Sequence, residues 1–193
     1  MKSKRSLLFI VMVFAFSITV TVYFLLEDSF RTAVNADPNK NTLDDLFKEI
    51  GIAKITRATE PVDFELMSLD RKRVRLSDFR GKIVFLNFWA TWCHPCRIEM
   101  PAMEKLHTQM KNHEFAVVAI SLKESDGIVR SFFKKEKLTF TGLLDTKGNV
   151  AKQFRIASIP TTLIVDKKGR IIGAALGPRP WDKKTSINMF RHL

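Results

Sequence analysis

The sequence predicts an α/β domain built on a mixed β-sheet flanked by helices, with an N-terminal hairpin and one N-terminal transmembrane helix ahead of it. Three observations carry this. Residues 7–26 (LLFIVMVFAFSITVTVYFLL) contain no charge. From residue 61 onward, apolar strand-like runs alternate with amphipathic helical stretches. The last two strand-like runs are joined only by the turn Asp166-Lys167-Lys168-Gly169, which marks an antiparallel pair.

The N-terminal run comes first. At ~1.5 Å per residue, twenty helical residues span roughly 30 Å, the thickness of a bilayer's hydrocarbon core. Lys2, Lys4 and Arg5 precede the run. By the positive-inside rule they stay in the cytoplasm, which puts everything after Leu26 outside it. A cleaved signal peptide is the rival reading, with Val34-Asn35-Ala36 as the candidate site. That site stands well beyond the apolar run, and the run exceeds a signal peptide's apolar region, so an uncleaved anchor is favoured. Both readings put the domain outside the cytoplasmic membrane, facing the periplasm or the cell exterior.

Residues 27–60 are polar and mixed, and they read as a tether. Within them Leu43, Leu46, Phe47 and Ile50 recur at helical spacing after Thr42, a candidate N-cap. The apolar face of that short helix needs a cover, either the domain or a membrane surface. The domain proper is expected over 61–193. Val62, Phe64 and Leu66 alternate with acids, and Val74 and Leu76 with Arg73 and Arg75, so 62–76 reads as a hairpin. Residues 83–88 (IVFLNF) suit a central strand covered on both faces. A helix follows over 97–111, with Ile98, Met100, Met103, Leu106 and Met110 as its apolar positions. Further strands are expected at 115–122, 140–144, 161–165 and 170–175, and helices at 126–137, 149–154 and 182–192.

The net charge of +12 is uneven. Residues 61–193 hold 24 bases and 13 acids, a net +11, with Arg71, Lys72, Arg73 and Arg75 as the densest patch. Such a surface can attract acidic proteins, anionic lipid headgroups or nucleic acid, while the patch itself reads first as a solvated hairpin turn. No nucleic-acid recognition signature accompanies it, and no nucleic-acid partner is expected.

The two cysteines sit in Trp92-Cys93-His94-Pro95-Cys96, after a strand-like run and before a helical one. Two thiols three residues apart on a first helical turn close a disulfide with little backbone movement. The helix N-terminus favours the thiolate, the form that attacks disulfides. Cys93 is expected to be exposed and nucleophilic, and Cys96 more buried and resolving. A structural disulfide is disfavoured, since so short a loop constrains little of the unfolded chain. Zinc needs a second ligand pair that is missing, and Arg97 stands where haem attachment needs histidine. No metal and no cofactor is expected.

The stretch Phe88-Trp89-Ala90-Thr91-Trp92-Cys93-His94-Pro95-Cys96 resembles the active-site stretch of thioredoxins. With Arg97, Glu99, Met100 and Pro101 it is most similar to the membrane-anchored TlpA/ResA branch. Ser158-Ile159-Pro160-Thr161-Thr162 resembles the loop that carries the family's cis-proline. The resemblance covers about 61–193 and implies a thioredoxin-like fold. It implies Cys93 as attacking and Cys96 as resolving thiol, and a cis Pro160 that leaves the Ile159 backbone to pair with substrate. Trp92, His94 and Pro95 would lie on the substrate side. Glu99 matches an acid near the pair that moves a proton when the mixed disulfide resolves; its plain alternative is a first-turn carboxylate favoured by the helix dipole. Asn87 departs from the buried aspartate usual in thioredoxins, which leaves Glu99 as the substitute. His94 reads equally as a thiolate-stabilising imidazole or as a solvated side chain.

The resemblance implies an extracytoplasmic thiol–disulfide oxidoreductase that reduces disulfides in envelope proteins, such as apocytochrome c before haem attachment. Its electrons would come from a transmembrane thiol carrier. The same residues serve a disulfide-forming oxidase or isomerase, because direction is set by reduction potential. A thiol peroxidase fits less well, since the cysteines form a dithiol pair. A copper metallochaperone also fits less well, since the one histidine after His113 is His192.

Overall fold

The computed structural model describes residues 20–23, 27, 42–56 and 63–193. The expected anchor over 7–26 lies outside the described residues except for 20–23, which are helical, and so does the candidate cleavage site. No helix among the described residues is long and apolar enough to cross a membrane. The chain divides into Met1–Asn41 and Thr42–Leu193.

The second unit begins inside the stretch read as a tether. Helix α1 (Leu43–Ile50) opens on a capping box: Thr42 Oγ1 accepts from the Asp45 N–H, and Asp45 Oδ2 accepts from the Thr42 N–H at 3.2 Å. Leu46, Phe47 and Ile50 are buried, and Gly51 ends the helix with φ +75. Strand β1 (Ala53–Lys54) then pairs antiparallel with β8 (Ile171–Leu176). The domain, not a lipid surface, covers the apolar face. A Cβ on Gly173 would stand 2.9 Å from Ile52 and 3.1 Å from Phe47, so only glycine lets this segment approach β8 so closely.

Strands β2 (Glu65–Ser68) and β3 (Arg73–Arg75) form the expected hairpin, with Glu65 opposite Arg75. Val62 lies outside the described residues. The centre is β4 (Ile83–Trp89), β5 (Phe115–Leu122), β6 (Thr141–Asp145) and β7 (Thr161–Val165). The full order is β1-β8-β7-β4-β5-β6-β2-β3, with β4–β5 and β5–β6 parallel and the other pairs antiparallel. The expected mixed sheet is therefore present.

Every residue of β4 is buried, and its side chains alternate between two cores. Val84, Leu86 and Phe88 pack beneath α4 (Asn149–Gln153) with Val150 and Ala151. Ile83, Phe85 and Trp89 face the other way, toward α2 (His94–Gln109), α3 (Asp126–Glu136) and α5 (Lys184–Arg191). By the same alternation Asn87 points into this second layer, directly under α2. Helix α2 begins at His94 rather than at 97, because Cys93 caps it and Pro95 suits a first turn. Ile98, read as a core position, is 62% exposed. The core-facing stripe of α2 runs instead through Cys96, Met100, Met103 and Leu106, and Ile98 falls off it.

Candidate active site

The topology assembles the site. Strand β4 ends at Trp89, and the chain turns through Ala90–Trp92 into the N-terminus of α2. Antiparallel β7 starts beside that same end, with Thr161 opposite Phe88. The loop before β7 is thereby brought over the cysteines. Thr161 Oγ1 donates to the Ser158 carbonyl at 2.7 Å and closes that loop, and the Ile159–Pro160 bond is cis.

Cys93 and Cys96 form a disulfide, with Cα atoms 5.3 Å apart. The Cys96 N–H donates to Cys93 Sγ at 3.3 Å, so a helix-terminal amide is aimed at the sulfur where thiolate charge would form. Cys93 Sγ lies 3.8 Å from the Ile159 carbonyl oxygen. The sequence reading had Cys93 exposed; it is 5% exposed against 0% for Cys96, because the Ile159–Pro160 loop covers it. Around this small opening stand solvent-facing apolar side chains. Trp92 is 71% exposed, and Leu176, opposite Thr161 in β8, is 65% exposed. His94 and Pro95 are exposed on the first turn of α2, Ile159 is half-buried, and Pro160 is buried.

Glu99 lies one turn past Cys96, on the same side of α2, and is 2% exposed. Three N–H groups converge on its carboxyl. Asn87 Nδ2 donates to Oε1 at 2.9 Å, and Trp181 Nε1 and the Arg179 N–H donate to Oε2 at 3.0 and 3.3 Å. Burial raises the carboxyl above its ordinary range, and the three donors only partly oppose that rise. Asn87 spends its amide donors on Glu99 and on Thr162 Oγ1, its cross-strand neighbour in β7, and its Oδ1 is buried without a partner. Asn87 thus occupies the expected place beneath the cysteines and addresses Glu99.

Sequence reasoning missed several members. Trp181 is fully buried and stacks edge-on against Phe85 at 4.8 Å. Arg179 fastens its loop to the end of α1, donating from Nε to the Ile50 carbonyl at 3.0 Å and from Nη2 to the Gly51 carbonyl at 3.3 Å. Helix α1 therefore supports the loop that supplies two of Glu99's three donors. A tryptophan in the proline-flanked run Gly177-Pro178-Arg179-Pro180-Trp181 was the available signal. Glu124, 8% exposed, is the other omission. It accepts from the Thr91 N–H at 2.9 Å, from the Thr91 hydroxyl, and from Ser121 Oγ at 2.6 Å. It ties the residue before Trp92 to the end of β5.

The AhpC/TSA family matches residues 58–174, more than half the chain. The chain belongs to this family. The thiol–disulfide oxidoreductase ResA of Bacillus thuringiensis subsp. konkukian is 37% identical over 119 residues, covering 62% of this chain and 69% of that protein. The thioredoxin-like protein YneN of Bacillus subtilis is 46% identical over 127 residues, 64% of this chain and 72% of YneN. Among solved structures, StoA from Bacillus subtilis superposes with a TM-score of 0.58 at 27% identity, over 66% of this chain and 97% of StoA. This AhpC/TSA protein is a thiol–disulfide oxidoreductase of ResA/StoA type with a thioredoxin-like fold and a Cys93–Cys96 pair. Its class of substrate is protein disulfides.

Proposed function

We propose that the protein is a reductase of disulfides in envelope proteins, working outside the cytoplasm and anchored by a single membrane-spanning helix over residues 7–26. Apocytochrome c before haem attachment is the leading substrate, and a transmembrane thiol carrier is the electron donor. The direction of electron flow is decided by the reduction potential, and the observation that carries the thiol–disulfide exchange is the paired placement of Cys93 and Glu99. The first stands at the helix N-terminus under the Ile159 carbonyl, and the second is a buried carboxyl one turn below Cys96.

In the reduced protein the Cys93 thiolate attacks one sulfur of a substrate disulfide. A mixed disulfide forms, and the other substrate sulfur leaves as thiolate. Cys96 loses its proton to Glu99, which receives it on a buried oxygen, and attacks Cys93 Sγ. The substrate's second thiolate departs and is protonated. Two electrons have passed to the substrate; its two thiolates take up two protons, one from Glu99 and one from solvent, matching those given up by Cys96 and Cys93, and the Cys93–Cys96 disulfide of the structure is the product. The Ile159 backbone pairs with the extended substrate, with Trp92, His94 and Pro95 beside it.

The test is the reduction potential of the full chain, equilibrated against a thiol–disulfide buffer. A value near thioredoxin's, about −270 mV, supports a reductase. A value near about −120 mV makes the protein an oxidant and removes apocytochrome c reduction from first place.

A further inference from the structure

Between Trp92, next to Cys93 in the chain, and the loop that carries Ile159 lies an open groove of about 590 Å³. Trp92, Leu122, Ile156 and Ile159 give it apolar walls, and Lys123 and Lys152 stand at its margin. Both lysines are exposed, and among the described residues neither has an ion-pair partner. The acids nearest in the chain point elsewhere. Glu124 is turned inward onto Thr91 and Ser121, and Asp145 is buried and accepts the Ala151 N–H at 2.8 Å. Their charges sit inside while the two ammonium groups stay at the surface.

Lys123 is also held in place. Its backbone is left-handed, with φ +56, and its N–H is fixed on the Asp145 carbonyl at 3.0 Å. Its side chain crosses Gly148, where a Cβ would stand 2.8 Å from Lys123 Cε. A left-handed lysine is strained unless its surroundings impose it. Here the backbone bond fixes where the side chain starts, and the bare glycine leaves room for its stem to lie at the groove margin.

We infer that this groove is a specificity subsite. It takes an extended segment of the substrate protein in which an apolar residue is followed by acidic ones, close to the cysteine under attack. The apolar side chain covers the half-buried walls, and the acids meet Lys123 and Lys152. Ile159 belongs both to the groove wall and to the backbone 3.8 Å from Cys93 Sγ. At about 3.3 Å per extended residue, the subsite is within reach of positions one to three from the substrate cysteine. The inference rests on the proposed reaction and names the substrate class that it favours.

Two peptides test it, each with one internal disulfide and identical except that Leu-Glu-Glu or Leu-Lys-Lys follows the attacked cysteine. The fully reduced full-length protein is mixed with each in single turnover, and with 2-hydroxyethyl disulfide as a neutral, groove-independent substrate. The acidic peptide should react about tenfold faster at low salt, with the preference shrinking at high salt as screening sets in. The double variant Lys123→Glu, Lys152→Glu should invert the preference, which a loss of stability alone would not do. Equal rates for the two peptides, or an unchanged preference in the double variant, overturn the inference. It is equally overturned if the peptides react alike and the double variant instead loses affinity for phosphatidylglycerol vesicles, since the lysines then serve a lipid surface. Failure of the wild type to reduce 2-hydroxyethyl disulfide would count against the reductase reading itself.

Discussion

Two buried glutamates flank the disulfide, and they differ in how they are held. Glu99 is gripped by three N–H donors, from an indole, an amide and a backbone, and of these only the Asn87 amide could turn an acceptor toward it. Glu124 receives one backbone N–H and two hydroxyls, which can rotate or turn to other partners. Glu99 sits on α2 itself, one turn past Cys96. Glu124 holds the loop that leads into the cysteines. The first has its affinity for a proton raised by burial, and the second fixes a backbone.

The largest effect expected from this contrast is at Glu124. Glu124→Ala strips the acceptor from three groups at once and should destabilise the domain by about 3 kcal/mol, read as a lower urea midpoint. Thiol exchange should slow as well, because Thr91 loses its anchor beside Trp92. A variant as stable as wild type would erase the distinction between the two carboxylates.

Glu99→Gln should show itself in pH dependence. The folded carboxyl binds its proton more tightly than the unfolded one, whose ordinary value is 4.5. Its contribution to stability is thus complete below that value and is lost as pH rises through the raised folded value. Urea midpoints of the wild type should fall over that interval, and those of the variant should fall less. The amide is accommodated by turning Asn87 so that its unpartnered Oδ1 faces it. Equal slopes would show that Glu99 is not the group that titrates.

Trp181→Phe keeps much of the ring against Phe85 and removes one donor from Glu99 Oε2. The cost should be about 2 kcal/mol. Since that donor lowers the carboxyl, the variant's pH dependence should move upward. Smallest is Thr91→Val, which deletes one hydroxyl donor to Glu124 and spares the backbone N–H. About 1 kcal/mol is expected from thermal or urea melting. A loss matching Glu124→Ala would make that hydroxyl, not the backbone, the essential contact.

Local pattern made much of this legible. The bounds of β5 and β7 could be read directly, because each is an apolar run ending in polar residues or glycine and proline. The cysteine pair follows from one motif and its spacing, and the proline loop and the place of Asn87 from the resemblance to thioredoxins. The partner of Trp181 was not legible, although its proline-flanked run marks it out, because its contact with Glu99 spans 82 residues. The cover for α1 depended on a missing side chain at Gly173, and an absent Cβ leaves no periodic trace. Ile98 misled because apolar character was counted as burial, whereas at the edge of a reactive site an apolar side chain is left in solvent.

The ends of the sheet carry a last consequence. An outer strand exposes a ladder of amides and carbonyls on which a foreign chain can grow into fibres. Here one outer strand, β1, has two residues, and the other, β3, has three, flanked by Arg73 and Arg75 clasping Glu65 at 2.8 Å. Both are too short, and the second too highly charged, to template such growth. An oxidoreductase that acts on protein disulfides can thus meet partly folded chains without being drawn into their aggregates.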